Sequence, residues 1–307
     1  METSKLKLVL IDGNNMSHRV FWTHQDLQYK GMYTGLLFGF FRQLIFLRKK
    51  YPDYHFVIAW DRGYARRKAE ANNAIAAGII PSGYKGQRED ARAEADEKKL
   101  AELESLNTQM SQLQDVLLPM MKCSQVMMSG IEADDLIYSY CKYVDKYNGQ
   151  AIIVSSDRDF LQVLGIGQNI KIYDAMKDET WTVERFEAEF GFSPTLWVDA
   201  GALMGDHSDN IFGVDGWGPK TACDYVRQFG SVEKIVEAVT AKTKKSKKEL
   251  KLLDSSERLA LALSLKKMDE IPNLPRPKCE PKDGEALKEK FIELGFASLI
   301  KEAKILV

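Results

Sequence analysis

Leu8-Val-Leu-Ile-Asp12 is a short apolar run that ends in a carboxylate, and the chain repeats this design. The same order recurs in Phe56-Val-Ile-Ala-Trp-Asp61 and in Ile152-Ile-Val-Ser-Ser-Asp-Arg-Asp159. Short apolar runs rich in β-branched residues are typical of buried strands. Between the first two runs, residues 34–50 are long and apolar enough for a buried helix. Strands that alternate with helices predict an α/β fold built on a doubly wound parallel sheet.

The same pattern assigns further elements along the first two thirds of the chain. We predict strands at 5–12, 55–61, 124–128, 151–155 and 170–173, and helices at 34–50, 132–147 and 157–164. From about residue 195 the pattern becomes helical without strands. We therefore expect a catalytic domain over residues 1–195 and a helical region over residues 196–307.

Two further acidic clusters, Gly130-Ile-Glu-Ala-Asp-Asp135 and Met204-Gly-Asp-His-Ser-Asp209, complete a set of five. The carboxyl ends of parallel strands meet at one edge of a sheet, where open α/β proteins place their sites. Carboxylates gathered there repel one another and lose hydration unless divalent cations neutralise them. The sequence therefore predicts an oxygen-rich site for more than one metal ion. Its candidate ligands are Asp12, Asp61, Glu132, Asp134, Asp135, Asp157, Asp159, Asp206 and Asp209.

The same carboxylates have a simpler interpretation as helix caps. Asp12 and Asp61 follow strands and precede segments where an aspartate commonly accepts hydrogen bonds from a helix start. The spacing of Asp157 and Asp159 suits a helix start as well, although it also lets both side chains reach one cation. Chance clustering of acidic residues stays open too, but five clusters in one chain favour metal binding.

The composition of the 307 residues is that of an ordinary globular protein, with 45% hydrophobic and 28% charged residues. No apolar run approaches the roughly 20 residues that a membrane span needs. The N-terminus leads directly into a predicted strand, so we expect no secretion signal. The cysteines are far apart and form no CxxC pair, which predicts a reduced, cytoplasmic protein without a structural zinc site. They are Cys123, Cys141, Cys223 and Cys279.

The net charge of −1 conceals an uneven distribution. Without the nine clustered acids, 35 acidic residues face 43 basic ones. A basic body around a cation-neutralised acidic pit suits a polyanionic substrate.

Residues 62–118 interrupt the alternation of strands and helices. The half from Gln87 onward is rich in Ala, Glu, Lys and Leu and predicts one or two helices. The half from Glu70 to Gly83 contains glycines and a proline and predicts a mobile insertion. A long excursion between core strands is usually functional or disordered.

The stretch Gly213-Val-Asp-Gly-Trp-Gly-Pro-Lys-Thr-Ala222 predicts a tight glycine hairpin followed by a helix that begins at Pro219. Such a hairpin presents backbone N–H groups to phosphate without regard to base sequence. The lysine run from Lys242 to Lys251 is expected on a loop. This loop either is solvated or faces the nucleic-acid duplex that the hairpin would bind. The predicted DNA contacts here are Gly213, Gly216, Gly218, Lys220, Thr221, Lys244 and Lys245.

Six motifs in this order resemble the 5′-nuclease family of flap endonucleases and 5′–3′ exonucleases of the bacterial and bacteriophage type. The chain is similar to the nuclease domain at the N-terminus of bacterial DNA polymerase I, and we expect it to act without an attached polymerase. The resemblance covers roughly residues 5–240. The motifs are Asp12-Gly-Asn-Asn…Arg19, Trp60-Asp61, Tyr84-Lys-Gly-Gln-Arg88, Gly130-Ile-Glu-Ala-Asp-Asp135, Ser155-Ser-Asp-Arg-Asp159 and Met204-Gly-Asp-His-Ser-Asp-Asn210.

The resemblance implies a PIN-like parallel sheet with flanking helices, a helical arch at about 62–118, and a C-terminal helix-hairpin-helix. It implies cleavage of DNA at 5′ ends and 5′-flap junctions, by a two-metal-ion mechanism, in replication or repair. Lys85 and Arg88 are expected at the scissile phosphate and Arg19 at the scissile strand. Tyr84 is expected to offer a stacking face to an unpaired base. The Asp61–Tyr84 stretch is longer than the family pattern, which leaves the size of the arch open.

The first metal is expected on Asp12, Asp61, Glu132 and Asp134. The second is expected on Asp157, Asp159 and Asp209, with Asp135 and Asp206 nearby or bridged through water. The expected ions are two Mg²⁺, with Mn²⁺ as a substitute, and the resemblance admits K⁺ at the hairpin.

The expected partners are DNA with a 5′ flap or 5′ end and an RNA/DNA hybrid, with a replicative polymerase or a single-strand-binding protein as protein partners. We expect a monomer that does not bind membranes. Two alternatives stay open, a PIN-type ribonuclease and a non-catalytic module that binds DNA structures. The hairpin and basic arch favour duplex DNA over RNA, and a non-catalytic module would lack carboxylates that are all present here.

Overall fold

The computed structural model describes residues 6–88, 94–277, 282 and 284–307. Its strands are β1 (Lys7–Asp12), β2 (Gln28–Tyr29), β3 (Met32–Tyr33), β4 (His55–Ala59), β5 (Ser124–Val126), β6 (Gln150–Val154), β7 (Ile170–Asp174) and β8 (Glu179–Trp181). Six of them form one sheet in the order β5-β4-β1-β6-β7-β8, while β2 and β3 form a separate hairpin. All pairs in the large sheet are parallel except that of β7 with β8. This arrangement confirms the predicted α/β fold with a mainly parallel sheet.

Helices pack on both faces of the sheet and continue into a helical C-terminal region. The α-helices are α1 (Gly13–Thr23), α2 (Gly35–Lys50), α3 (Ala65–Ala76), α4 (Glu97–Gln112), α5 (Ala133–Lys146), α6 (Val183–Phe190), α7 (Trp197–Met204), α8 (Pro219–Phe229), α9 (Val232–Thr240), α10 (Lys247–Asp254), α11 (Ser256–Lys266) and α12 (Gly284–Glu293). The predicted helix over 157–164 is a 3₁₀-helix, Arg158–Ile166.

Strand β1 is central because it is apolar on both faces. Leu8 and Leu10 belong to the core layer that contains α5, whereas Val9 and Ile11 belong to the layer that contains α1 and α2. Alternate side chains of a strand point to opposite faces, so a strand buried on both sides must be apolar throughout. The strand then ends at Asp12, which brings a carboxylate to the sheet edge.

The prediction of a mobile insertion from Glu70 to Gly83 is wrong. Residues up to 76 belong to α3, which packs against α11 through Ala71 and Ala74, and Ile80 is buried in the same small core. Small side chains at this spacing let two helices approach closely. The helix predicted beyond Gln87 is present as α4, although residues 89–93 of the predicted arch lie outside the described part of the chain.

The C-terminal region is helical as predicted, apart from an isolated antiparallel bridge between Asp206 and Ile211. The prediction of a lysine-rich loop up to Lys251 holds only in part, because α10 begins at Lys247 behind a capping box formed by Ser246 and Glu249. Cys141 and Cys223 are free thiols, the Cys123 thiol donates to the Leu118 carbonyl at 3.7 Å, and Cys279 lies outside the described residues. Within the described ranges, none of the helices combines the length and apolar character that a bilayer crossing requires.

Candidate active site

Three strands deliver a carboxylate each to the same edge of the sheet, and each carboxylate accepts a hydrogen bond from the backbone at the start of a helix. Asp12 accepts a hydrogen bond from the Asn15 backbone N–H at 2.9 Å, and Asp61 accepts one from Ala133 at 2.7 Å. Asp157 accepts one from the Asp159 backbone N–H at 2.8 Å. The capping interpretation is therefore correct for Asp12 and Asp157. Asp61 instead binds the start of the distant helix α5, and α3, the helix that follows Asp61, begins after Tyr64. Each of these hydrogen bonds uses one carboxylate oxygen, and the second oxygen of Asp12 also accepts the Ser155 hydroxyl at 3.3 Å.

A cavity of about 510 Å³ opens at this edge. Seven of the nine predicted carboxylates line it, together with the predicted cations Arg19, Lys85 and Arg88. The carboxylates are Asp12, Asp61, Glu132, Asp134, Asp157, Asp206 and Asp209. Sequence reasoning missed Asn14, Asn15, His18 and Ser208, which also line the cavity. Of these, Asn14 has a clear role, because its side-chain oxygen accepts the Asp61 backbone N–H at 3.0 Å and joins two of the strand ends.

The carboxylates at the centre of the cavity are electrostatically strained. Burial, together with repulsion from Asp61, raises the pKa of Asp12 to about 7. Burial also raises the pKa of Asp134 well above its usual range, with further contributions from Asp12 and Asp157. The pKa of Asp61 is raised mainly by burial. Oxygen-only groups that hold protons this strongly are a donor set that Mg²⁺-like cations fit.

A second acidic group adjoins the first. Ligand atoms of Asp159, Asp206 and Asp209 lie within 4.8 Å of one another. The ammonium of Lys266 lies between two of these side chains, 2.8 Å from both oxygens of Asp159 and 2.6 Å from Asp206. Despite its burial, Asp206 has a pKa lowered to about 2 because Lys266 and nearby hydrogen bonds favour the charged carboxylate. Burial raises the pKa of Asp159 to about 6 against the opposing effect of Lys266.

The structure separates Asp135 from the other predicted ligands. Its two carboxylate oxygens accept hydrogen bonds from the Arg67 guanidinium at 2.8 and 2.9 Å, and the Asp269 backbone N–H binds the same group at 2.9 Å. The carboxylate is buried and fully occupied by these donors. The expectation that Asp135 lies near a metal is therefore corrected, since its role is to hold Arg67. Arg67 also contacts Glu132, which lines the cavity.

The predicted cations surround the cavity. Arg88 donates to Asp209 at 2.7 Å and is more than half exposed, so its guanidinium can leave this contact for a phosphate. The Lys85 ammonium contacts Glu132, and its backbone N–H donates to the Asp209 carbonyl at 2.9 Å. Lys85 adopts a left-handed φ of 56°, so the turn aims its side chain into the cavity rather than outward. Arg19, on α1, lines the same cavity.

Tyr84 does not offer the open stacking face that was predicted. Only 7% of the residue is exposed, and its ring packs edge-on against Tyr64. Its hydroxyl lies 3.2 Å from Asp209 and 3.4 Å from Glu132. Tyr84 thus helps to hold Asp209 and Glu132 in place through its hydroxyl.

The glycine hairpin between α7 and α8 has the predicted form. Gly216 has a φ of +80°, whereas Gly218 is extended and caps α8, which begins at Pro219. Gly213 is needed for a different reason, because a Cβ there would lie 2.3 Å from the Gly205 backbone nitrogen. Gly216, Gly218 and Lys220 are exposed, which leaves the start of α8 open to a ligand.

Two lysines of α10 flank this hairpin. Lys248 donates to the Thr221 hydroxyl at 3.2 Å, and a Cβ on Gly216 would lie 3.9 Å from the Lys251 ammonium. The predicted contacts Lys244 and Lys245 precede α10, where Lys244 is exposed and Lys245 is partly buried with its ammonium 2.7 Å from the Lys242 carbonyl. The structure therefore places Lys248 and Lys251 of α10 beside the hairpin.

Arg67 and Lys266 are the most consequential side chains that the sequence analysis did not assign. Both are buried cations whose partners lie far away along the chain. Nothing local marks Lys266 among the 43 basic residues. For Arg67 the available signal was its place in an alanine-rich segment, which would have indicated a packed helix.

The fold, the acidic cavity at the strand ends and the glycine hairpin together define an α/β nuclease. The chain belongs to the 5′-3′ exonuclease family and is a DNA-hydrolysing nuclease. The family's N-terminal resolvase-like domain matches residues 7–191, and its C-terminal SAM fold matches residues 192–279. The resemblance found in the sequence is thereby confirmed.

Relatives support this assignment over most of the chain. A 5′-3′ exonuclease of Aquifex aeolicus is 31% identical over 304 residues, which are 96% of this chain and 94% of that protein. DNA polymerase I of Bacillus subtilis is 31% identical over 250 residues, 80% of this chain but 26% of the polymerase. A zinc-bound structure of bacteriophage T5 5′-exonuclease has a TM-score of 0.71 at 20% identity and covers 97% of both chains. A T5 flap endonuclease complex with DNA and metal ions has a TM-score of 0.68, also at 20% identity.

Proposed function

We propose that this nuclease hydrolyses DNA phosphodiesters at 5′ ends and 5′-flap junctions, with Mg²⁺ or Mn²⁺, in DNA replication or repair. The observation that carries the proposal is the cavity in which seven carboxylates are bordered by Arg19, Lys85 and Arg88. Carboxylates alone would repel a phosphodiester, and cations alone would only bind it. The combination suits phosphate chemistry assisted by divalent ions.

Two groups of carboxylates would hold the cations. Asp12, Asp61, Glu132 and Asp134 form the proposed first group, because they converge from the ends of β1 and β4 and the start of α5. Asp157, Asp159, Asp206 and Asp209 form the proposed second group. Two divalent ions bound there would activate a water and stabilise the leaving oxygen.

The chain's own cations would position the substrate. Lys85 and Arg88 lie on the same turn, and both contact carboxylates of the cavity rim. When a scissile phosphate enters the cavity, it can replace these carboxylates as the partner of Lys85 and Arg88. Charge on the phosphate is then balanced by preorganised donors, which is the largest contribution in many enzymes of this kind. Arg19 would hold the scissile strand from α1.

DNA would be anchored away from the chemistry by the hairpin. The exposed N-terminus of α8 presents backbone N–H groups, and Lys220, Lys248 and Lys251 supply positive charge around them. Such contacts read phosphate and not base sequence. A K⁺ ion at the hairpin stays a prediction. So do the cytoplasmic location, the monomeric state, the action on RNA/DNA hybrids, and the polymerase or single-strand-binding partners.

A cleavage assay tests this function. We expect a 5′-flap DNA to be cut with Mg²⁺ and not with EDTA, and a matched RNA flap to be cut far more slowly. Asp134→Asn should abolish cutting, whereas Asp53→Asn, on the exposed surface before β4, should not. Preferential cutting of RNA would indicate a ribonuclease. DNA binding without any metal-dependent cutting would indicate a non-catalytic binding module.

A further inference from the structure

Lys266 is a buried cation in the middle of the second acidic group. It is 7% exposed, and its ammonium contacts three carboxylate oxygens at 2.6–2.8 Å, two of Asp159 and one of Asp206. With Asp209 close by, Asp159 and Asp206 are also residues whose carboxylates could hold a second divalent cation. An ammonium and a metal ion cannot both make these contacts.

The backbone around Lys266 is held by two side chains, Arg67 and Gln162. Arg67 donates to the carbonyl of Leu265 at 3.0 Å and to that of Lys267 at 3.1 Å. Gln162 donates to the carbonyl of Lys266 itself at 3.1 Å and accepts the Met268 backbone N–H at 3.1 Å. These bonds fix the last turn of α11 against the 3₁₀-helix that carries Asp159. The Lys266 side chain therefore extends into the acidic group from a backbone that is held in place by hydrogen bonds.

We propose that Lys266 is an internal counter-ion that competes with the second divalent cation for Asp159 and Asp206. The inference rests on the proposed metal-dependent function and specifies how one of its two sites is controlled. Without metal, the ammonium keeps the carboxylates of this group together. When the second ion binds, Lys266 gives up both contacts, so this site is weaker than the first.

The competition follows from charge and desolvation. Two cations in one small group of carboxylates repel each other, and a buried ammonium that loses its partners must find others or reach water. Either route lowers the net affinity for the metal. Replacing Lys266 by a neutral residue removes the competitor and leaves the carboxylates to repel one another. The variant should bind the second ion more tightly and be less stable without it.

Calorimetric titration of the DNA-free full chain with MnCl₂ tests the competition directly. We expect a tighter and a weaker class of sites in the wild type. In Lys266→Met the weaker class should tighten by at least about tenfold, which is about 1.4 kcal/mol. Lys267→Met is the matched control, because its side chain is exposed and the Arg67 contact uses only its backbone. The control should leave both classes unchanged.

Thermal unfolding supplies a second readout that does not depend on catalysis. Metal-free Lys266→Met should melt below the wild type, and saturating Mn²⁺ should raise its melting temperature by more than it raises that of the wild type. Lys266→Gln, which is neutral but can still hydrogen-bond, repeats both measurements if the methionine variant folds poorly. Near-ultraviolet circular dichroism verifies the fold of each variant.

Unchanged or weaker second-class affinity in a folded Met or Gln variant overturns the proposal. The proposal is also overturned if calorimetry finds only one class of metal site in the wild type and still only one in the variants. Flap cleavage is measured in parallel to keep the two proposals apart. A wild type that cuts flap DNA but shows no effect of Lys266 on metal affinity refutes only the inference. If replacing Lys266 tightens the second class of sites but the wild type does not cut flap DNA, only the proposed activity is refuted.

Discussion

Arg67→Ala is expected to destabilise the protein severely, because the arginine connects three parts of the molecule. From α3 its guanidinium binds Asp135 at 2.8 and 2.9 Å and contacts Glu132. It also donates to carbonyls at the end of α11. Its side chain and both carboxylates are almost fully buried. Removing one partner of such a network leaves the other charges buried without a counter-charge, which typically lowers the free energy of unfolding by about 3–5 kcal/mol.

Urea unfolding followed by circular dichroism measures this loss as a change in the free energy of unfolding. Lys68→Ala is the matched control, since Lys68 is the next residue on α3 and is exposed. Exposed ion pairs contribute at most about 1 kcal/mol, so the control should change little. A loss below about 1 kcal/mol in Arg67→Ala would refute the reasoning, because water or rearranged neighbours would then satisfy the buried carboxylates. It would also mean that α3 is not tied to the site through this residue.

Three further expectations concern the site and the hairpin. Lys85→Ala should slow single-turnover cleavage by about 2.7–4 kcal/mol of activation free energy while flap affinity changes less; an equal loss in affinity with an unchanged rate would contradict the catalytic role. Gly216→Ala should weaken duplex binding in a fluorescence titration, because Gly216 has a φ of +80° that alanine rarely adopts. Gly218→Ala should bind nearly as well as the wild type, because Gly218 has extended backbone and a Cβ there would meet nothing within 4 Å. Equal effects of the two substitutions would contradict this reasoning. Burial and repulsion raise the pKa of Asp12 to about 7, so its contribution to stability is present below about pH 4 and is lost as the pH rises through 7. The rise in melting temperature produced by Mg²⁺ should therefore be larger at pH 8 than at pH 5, and a rise independent of pH would argue against a cation at this carboxylate.

The central strands β1, β4 and β6 could be predicted because they are mostly apolar and each is followed by polar residues. The edge strand β8, Glu-Thr-Trp, has no such pattern and was not predicted. β1 lies between two parallel neighbours, so both of its faces are buried and its sequence has no polar alternative. The carboxylates that follow β1, β4 and β6 were predictable for the same reason. Their position depends only on where each strand stops.

The rest of the site depends on contacts that no local pattern records. Lys266 meets Asp159 across 107 residues, and Arg67 meets Asp135 across 68. A buried lysine or arginine looks like any surface cation until its partner is known. Tyr84 was misjudged for a related reason. Lys85 and Arg88 follow it closely in sequence, but its ring packs against Tyr64 from a separate segment.

Asp157 illustrates how one carboxylate can serve as both a cap and a ligand. One oxygen accepts the Asp159 N–H at 2.8 Å, and burial raises the pKa of the group. Asp157→Asn keeps the accepting oxygen and removes the charge, so it should abolish cleavage while metal-free stability stays level or rises. Asp157→Ala removes both and should also lose about 1 kcal/mol of stability, the usual contribution of a cap. Single-turnover cleavage and thermal unfolding of the two variants separate the roles. If the asparagine variant cut at the wild-type rate, Asp157 would be only a cap, and the second cation would have to be held by its neighbours alone.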